Sequence, residues 1–140
     1  MTAAVEASER AIVLIRANGD IAHHAEGCDG QTLAAAERAL GLKFPPSCRR
    51  LIEEFGTWDV PPKEFLGVYR TPARGDTLLG SVAQTLEART AVRLPRHLLV
   101  VMLDDVWSFV VLDTSQTDED GECPVFAWNP GVPEGGLMDG

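Results

Sequence analysis

Few residues in this 140-residue chain have the type and spacing that chemistry demands. His23-His24 and Cys28 bring metal-ligand side chains close in sequence. Adjacent histidines, however, do not share one helix face, and no second Cys/His pair stands at zinc-site spacing, so a loop with incidental histidines is the better reading. Asp118 and Asp120 before Gly121 resemble a calcium loop. Aligned on that glycine, the first position is Gln116 and the last is Ala127, where a bidentate acid belongs. Cys48 sits at a predicted helix start, where the dipole could lower a thiol pKa. The histidines are His23, His24 and His97, none in a recognisable Cys–His context, which favours a structural cysteine over a nucleophile. Glu53-Glu54 and Asp104-Asp105 suit a solvated helix face and a turn. No nucleophile elbow, P-loop or dinucleotide fingerprint is present. The residues point to binding rather than catalysis, with no metal and no cofactor.

The elements that must position these residues follow from period and punctuation. Residues 5–17 predict a first helix with Val5, Ile12, Leu14 and Ile15 inward, and 18–31 predict a loop. Thr32 is the expected cap of a second helix, with Leu33, Ala36 and Leu40 on its apolar side and Gly41 as its stop. "LKFPPS" holds the chain extended. A third helix starts near Pro46, carries Leu51, Ile52 and Phe55 inward and stops at Gly56. "EFLGVY" (64–69) reads as one short strand. Residues 81–92 read as a fourth helix with Val82, Leu86 and Val92 inward. "LLVVML" (98–103) and "VWSFVVLD" (106–113) predict a hairpin whose second strand, apolar on both faces, belongs in mid-sheet. "CPVFAW" (123–128) completes a meander, and the tail "NPGVPEGGLMDG" is too rich in Gly and Pro to be regular.

A chain of this length fits one domain, 1–140, and removes roughly two-thirds of its unfolded surface from water. No apolar run approaches the ~18 residues of a membrane span. "MTAAVEASER" lacks the basic start of a signal peptide. Three cysteines at irregular spacing argue against a disulfide framework, so the expected location is the cytoplasm. Net charge is −9, and it is unevenly spread: residues 98–140 hold nine acids and no lysine or arginine, while 70–97 hold five arginines against two acids. Such an acidic third repels nucleic acid and anionic membrane and attracts a basic protein. A merely solubilising surface accounts for the charge equally well.

Residues 34–58, "AAAERALGLKFPPSCRRLIEEFGTW", carry a resemblance. An acidic helix residue, an "LG" stop, an apolar-Pro step and a helix ending in Phe-Gly appear here as Glu37, Leu40-Gly41, Phe44-Pro45 and Phe55-Gly56. "EFLGVYR" (64–70), "TLEARTAVRLPRHLLVV" (85–101), "VVLDTS" (110–115) and "CPVFAW" (123–128) follow in order. This combination, over about residues 30–129, resembles the SUKH superfamily, shared by bacterial immunity proteins and the yeast Smi/Knr-type cell-wall regulators. Two features depart from it. Where the family often carries a C-terminal helix, a Gly/Pro tail (129–140) stands, so either that helix is absent or the chain has been shortened, and the turn Asp104-Asp105-Val106 lacks the usual glycines.

The resemblance implies an α+β fold with a mostly antiparallel four- to six-stranded sheet flanked by helices, and a non-enzymatic role. It implies an immunity protein that binds and occludes a cognate toxin, for instance a nuclease, whose phosphate-binding surface is basic. The protein itself is expected as a monomer or weak homodimer. On that reading the partner-binding residues are Asp104, Asp105, Asp118, Glu119 and Asp120, with Trp58, Tyr69 and Trp107 as aromatic anchors, although burial in the core accounts for each aromatic at least as well. The alternatives are a protein-binding regulatory or scaffold module of the cell-wall-regulator type and, behind it, a small cysteine hydrolase using Cys48.

Overall fold

The computed structural model describes residues 2–61, 63–70, 75, 77–103, 108–130 and 137–139. Helix α1 (Ala3–Ala17) starts where the Thr2 hydroxyl accepts the Val5 N–H. Helix α2 (Gly30–Leu40) is capped by Asp29, whose Oδ1 accepts the Thr32 N–H at 2.8 Å, so the cap lies three residues before the expected Thr32. Asp outcompetes Thr because an anion also complements the positive end of the helix. Gly41 ends α2 in the left-handed region. Helix α3 (Pro46–Phe55) begins on Pro46 and ends at Gly56, as its punctuation predicts.

Glu37 fixes the angle between α2 and α3. Its carboxylate accepts the Phe44 N–H at 2.9 Å and the Arg49 guanidinium at 3.1 Å. The acidic helix residue of the resemblance thus ties together both sides of the extended Leu42–Pro45 step.

The main sheet is antiparallel throughout. Its six strands of three or more residues are β2 (Trp58–Val60), β3 (Lys63–Phe65), β6 (Leu98–Leu103), β7 (Phe109–Asp113), β8 (Val125–Trp128) and β9 (Leu137–Asp139), in that spatial order. The two-residue β1 (His23–His24) adds an edge beside β2, inside what the sequence reads as loop. A second ribbon pairs β4 (Val68–Tyr69) with β5 (Leu79–Gly80). The predicted strand 64–69 is therefore two strands in two sheets, broken at Leu66-Gly67. β9 corrects the expectation of an irregular tail: pairing with β8 orders a segment with little strand propensity of its own.

Helix α4 (Ser81–Ala91) behaves differently from its pattern. Leu86 is 39% exposed, while Ser81, Thr85 and Ala88 are buried. The reason is backbone chemistry. β3 meets β6 only at Phe65–Met102, which leaves Val100 without a strand on that side. The Ser81 hydroxyl donates to the Val100 carbonyl, and the Thr85 hydroxyl accepts the Val100 N–H at 3.0 Å. Two small polar side chains take the place of the missing strand, as buried backbone groups require.

The core lies on both faces of the sheet. Ile12, Leu33, Leu40, Ile52 and Phe55 from the first three helices meet Trp58, Leu99 and Leu112 on one face. Ala88 and Leu94 meet Leu98, Val100, Val111 and Trp128 on the other. β7 is covered on both sides, as its apolar pattern predicts. Leu14, expected inward, is 63% exposed.

Candidate partner-binding surface

The acidic loop after β7 is built by its own carboxylates. Asp118 Oδ1 accepts the N–H groups of Asp120 and Glu122 at 2.9 and 3.0 Å, and Gly121 turns through a φ of +82°. Glu122 points inward, accepting from the Ser47 hydroxyl at 2.6 Å and the Ser47 N–H at 3.0 Å. It supplies the N-terminal cap that Pro45 cannot give α3, and its charge complements the helix dipole. Asp118, Glu119 and Asp120 all stand at the exposed surface, and the Asp118 carboxylate is also the loop's organiser. Asp104, Asp105 and Trp107 lie outside the described residues.

The helical surface is electrostatically balanced. Arg16 pairs with Glu54 at 2.6 Å, Arg49 with Glu37 and Glu53 at 3.1 and 3.2 Å, and Arg50 with Glu9 and Glu54 at 2.5 and 2.9 Å. The last third of the chain has no lysine or arginine with which to do the same.

A second acidic surface forms where β1, β2 and β3 meet. The register places His23 opposite Asp59 and Asp59 opposite Glu64, a row of three on one face. Alternation puts the neighbouring row, His24, Trp58 and Phe65, on the helix side. There Trp58 and Phe65 stack at 5.4 Å and His24 lies 4.5 Å from Phe55. Trp58 is only 8% exposed, so its ring is a core wall, not the surface anchor expected of it. Tyr69, 36% exposed on β4, does reach the surface. It lines a pocket of about 360 Å³ to which both rows contribute, Asp59 and Glu64 from one, Trp58 and Phe65 from the other. His23 Nδ1 lies 3.0 Å from Asp59 Oδ1. Sequence reasoning missed this row because three-residue strands give alternation too little length to register.

The chemical candidates separate in space. His23 and His24 project to opposite faces of β1, and the Cys28 sulfur lies 3.8 Å from the Asp29 carbonyl oxygen. Among the described residues, no group of three or more His, Cys, Asp or Glu side chains could hold a metal ion. Cys48 lines an apolar hollow of about 460 Å³ between α1, α3 and the sheet, with Leu51, Val110 and Cys123 among its neighbours. Burial, reinforced by Glu122, pushes the Cys48 thiol up to about 12, overriding the helix-start effect. Burial thus works against activation of this thiol. No helix among the described residues is long and apolar enough to cross a membrane.

Helices over one face of an antiparallel meander, a fourth helix closing the β6 edge, and glycine-pinned crossings between them define an α+β domain of one architecture. The family model SUKH_5, described as SMI1-KNR4 cell-wall, matches residues 6–134, and the chain belongs to that family. The match takes in α1, beyond the stretch from which the resemblance was read. No curated protein matches the sequence.

Proposed function

We propose that this protein is a non-enzymatic immunity protein that binds a basic protein toxin of its own cell or kin and neutralises it by occlusion. The observation that carries the reading is the separation of charge. Arg16, Arg49 and Arg50 of the helical surface are held in ion pairs, whereas the nine acids of residues 98–140 have no basic residue in their own segment. Exposed Asp118, Glu119 and Asp120 belong to that excess, and a basic toxin such as a nuclease is steered toward it. Membership of the SUKH family supports the same role. Asp104, Asp105 and Trp107 stay within the proposed footprint by sequence, and Tyr69 by its place at the surface.

Co-expression with the protein encoded by the adjacent gene tests it. Growth rescue and a one-to-one complex on a sizing column at low salt are expected. Absence of both overturns the reading. The printed family description, SMI1-KNR4 cell-wall, favours a second reading, a regulatory or scaffold module binding a cellular protein. A neighbourhood without a toxin gene, plus a stable endogenous complex, would select it.

A further inference from the structure

Beneath α1 and α3 the helices do not fill the space over the sheet. The hollow of about 460 Å³ that Cys48 lines is roofed by Ala11 and Ile15 of α1 and by Leu51 of α3. Its floor crosses the sheet from Val60 on β2, through Met102 and Val110, to Val125 on β8. With strands about 4.8 Å apart, the four spacings from β2 to β8 make that floor roughly 19 Å long. Val60 and Val125, at its two ends, are 37% and 49% exposed. Cys48 is set deep in the protein yet keeps accessible surface, so the hollow reaches inward from solvent. An apolar cavity of about 150 Å³ takes one benzene, so this hollow has room for about three groups of that size.

The chemistry of the wall selects what can enter. Among the described residues of the wall, Glu122 is the charged one, and both its oxygens are engaged by Ser47. The Ser81 hydroxyl is likewise engaged by the Val100 carbonyl. What faces the space is mostly branched and aromatic side chains, Met102 and the free thiols Cys48 and Cys123. Such a wall favours apolar groups over polar ones and over water. The lip is different. The exposed acids Asp118, Glu119 and Asp120 lead directly into Glu122, Cys123 and Val125 of the wall, and Gly121 lies beside Pro46 at the start of α3. The β8 end of the hollow is therefore apolar within and acidic at its edge.

We infer that this hollow receives apolar side chains of the protein partner, carried on a segment that also bears lysine or arginine. The inference rests on the reading above that the partner is a basic protein, and it names the part of that partner that is anchored. The cations lie against Asp118, Glu119 and Asp120 and speed the encounter. The apolar side chains leave water for the hollow and slow dissociation. Charge alone attracts any basic protein; the hollow adds a shape that only some can fill.

Methyl NMR of the whole protein tests this without knowledge of the partner. The probes are an amphipathic Lys/Leu peptide, the same peptide with serine for leucine, and the same peptide with glutamate for lysine. The Lys/Leu peptide is expected to shift the methyl groups of Val60, Met102, Val110 and Val125 saturably. The serine peptide should move only amides of residues 114–122, and the glutamate peptide should bind at least tenfold more weakly. Val60→Thr with Val125→Thr keeps the branched shape at two exposed positions and should weaken the Lys/Leu peptide about fivefold. An unchanged melting temperature confirms folding of that pair, and if it does not fold the wild-type methyl shifts decide alone. Unmoved methyl groups, equal methyl shifts from the serine peptide, or undiminished binding by the folded Thr pair overturns the proposal.

With the adjacent-gene protein as ligand, the Val60/Val125 pair of changes should weaken the complex by a similar factor. A complex of undiminished affinity overturns the hollow's role and leaves the immunity reading intact. If the wild-type protein forms no complex, the immunity reading fails, and the peptide titration still decides the hollow.

Discussion

Replacing Gly67 by alanine tests the account of how the fold is held. Gly67 lies between β3 and β4 at a φ of +56°, and a Cβ there would overlap the Gly56 carbonyl oxygen at the end of α3. Two backbone bonds depend on that approach, Val68 N–H to Gly56 O at 2.9 Å and Ser81 N–H to Gly67 O at 2.8 Å. The left-handed conformation costs an L-residue about 1–2 kcal/mol. Parting the chains weakens two bonds worth about 1 kcal/mol each and loosens fully buried Val68. The sum is about 3–5 kcal/mol, a large share of the roughly 5–15 kcal/mol a domain possesses. For a domain of this size that is a fall of about 10–15 °C in melting temperature. Gly41→Ala is the control: its φ is +69°, but nothing lies within 4 Å of the added Cβ, so only the conformational cost of about 1–2 kcal/mol applies. Urea unfolding followed by tryptophan fluorescence measures both. If the two variants lose the same stability, the crossing of α3, β4 and α4 is not the constraint claimed for it.

Thr85→Val leaves the buried Val100 N–H without an acceptor and should cost about 1–3 kcal/mol, whereas Thr85→Ser, which keeps the oxygen, should cost less; equal losses in urea midpoint would remove the hydroxyl's role. Cys48, with its thiol pushed up to about 12, should alkylate at pH 8 roughly a thousandfold more slowly in the folded protein than after unfolding, as read by mass spectrometry of iodoacetamide adducts. Burial opposes the Asp113 charge, but hydrogen bonds from Ser115 and Gln116 outweigh it, so the folded carboxyl titrates below its ordinary value. Hydrogen bonds from Arg16 and Arg50 lower Glu54 likewise. Both contributions are present above the unfolded values near pH 4 and are lost as pH falls through the lower folded ones, so urea midpoints should drop at acid pH. Asp113→Asn should flatten that acid limb; an unchanged slope would show that Asp113 carries none of it.

The boundary between what local sequence settles and what distant contacts settle runs through particular residues. Gly41, Pro46 and Gly56 mark helix ends correctly, because conformational restriction acts within a residue or two of its cause. The β6–β7 hairpin is legible because both strands carry enough branched apolar residues to report their burial. The charge of the last third is a matter of composition and needs no fold to be seen. Leu86, expected inward, is exposed and Thr85 is buried because the open edge of β6 demands a hydroxyl, and nothing near α4 in sequence announces it. Glu122 is one acid among several until the fold sets it at Ser47. The row of His23, Asp59 and Glu64 has the same origin. Each residue sits in a strand of two or three residues that exists only through pairing with its neighbours, so the row is a product of register rather than of any one segment. Sequence alone determined the helices, the central hairpin and the sign of the surface; tertiary structure decided which acids stand together, because side chains distant along the chain become neighbours only when the sheet closes.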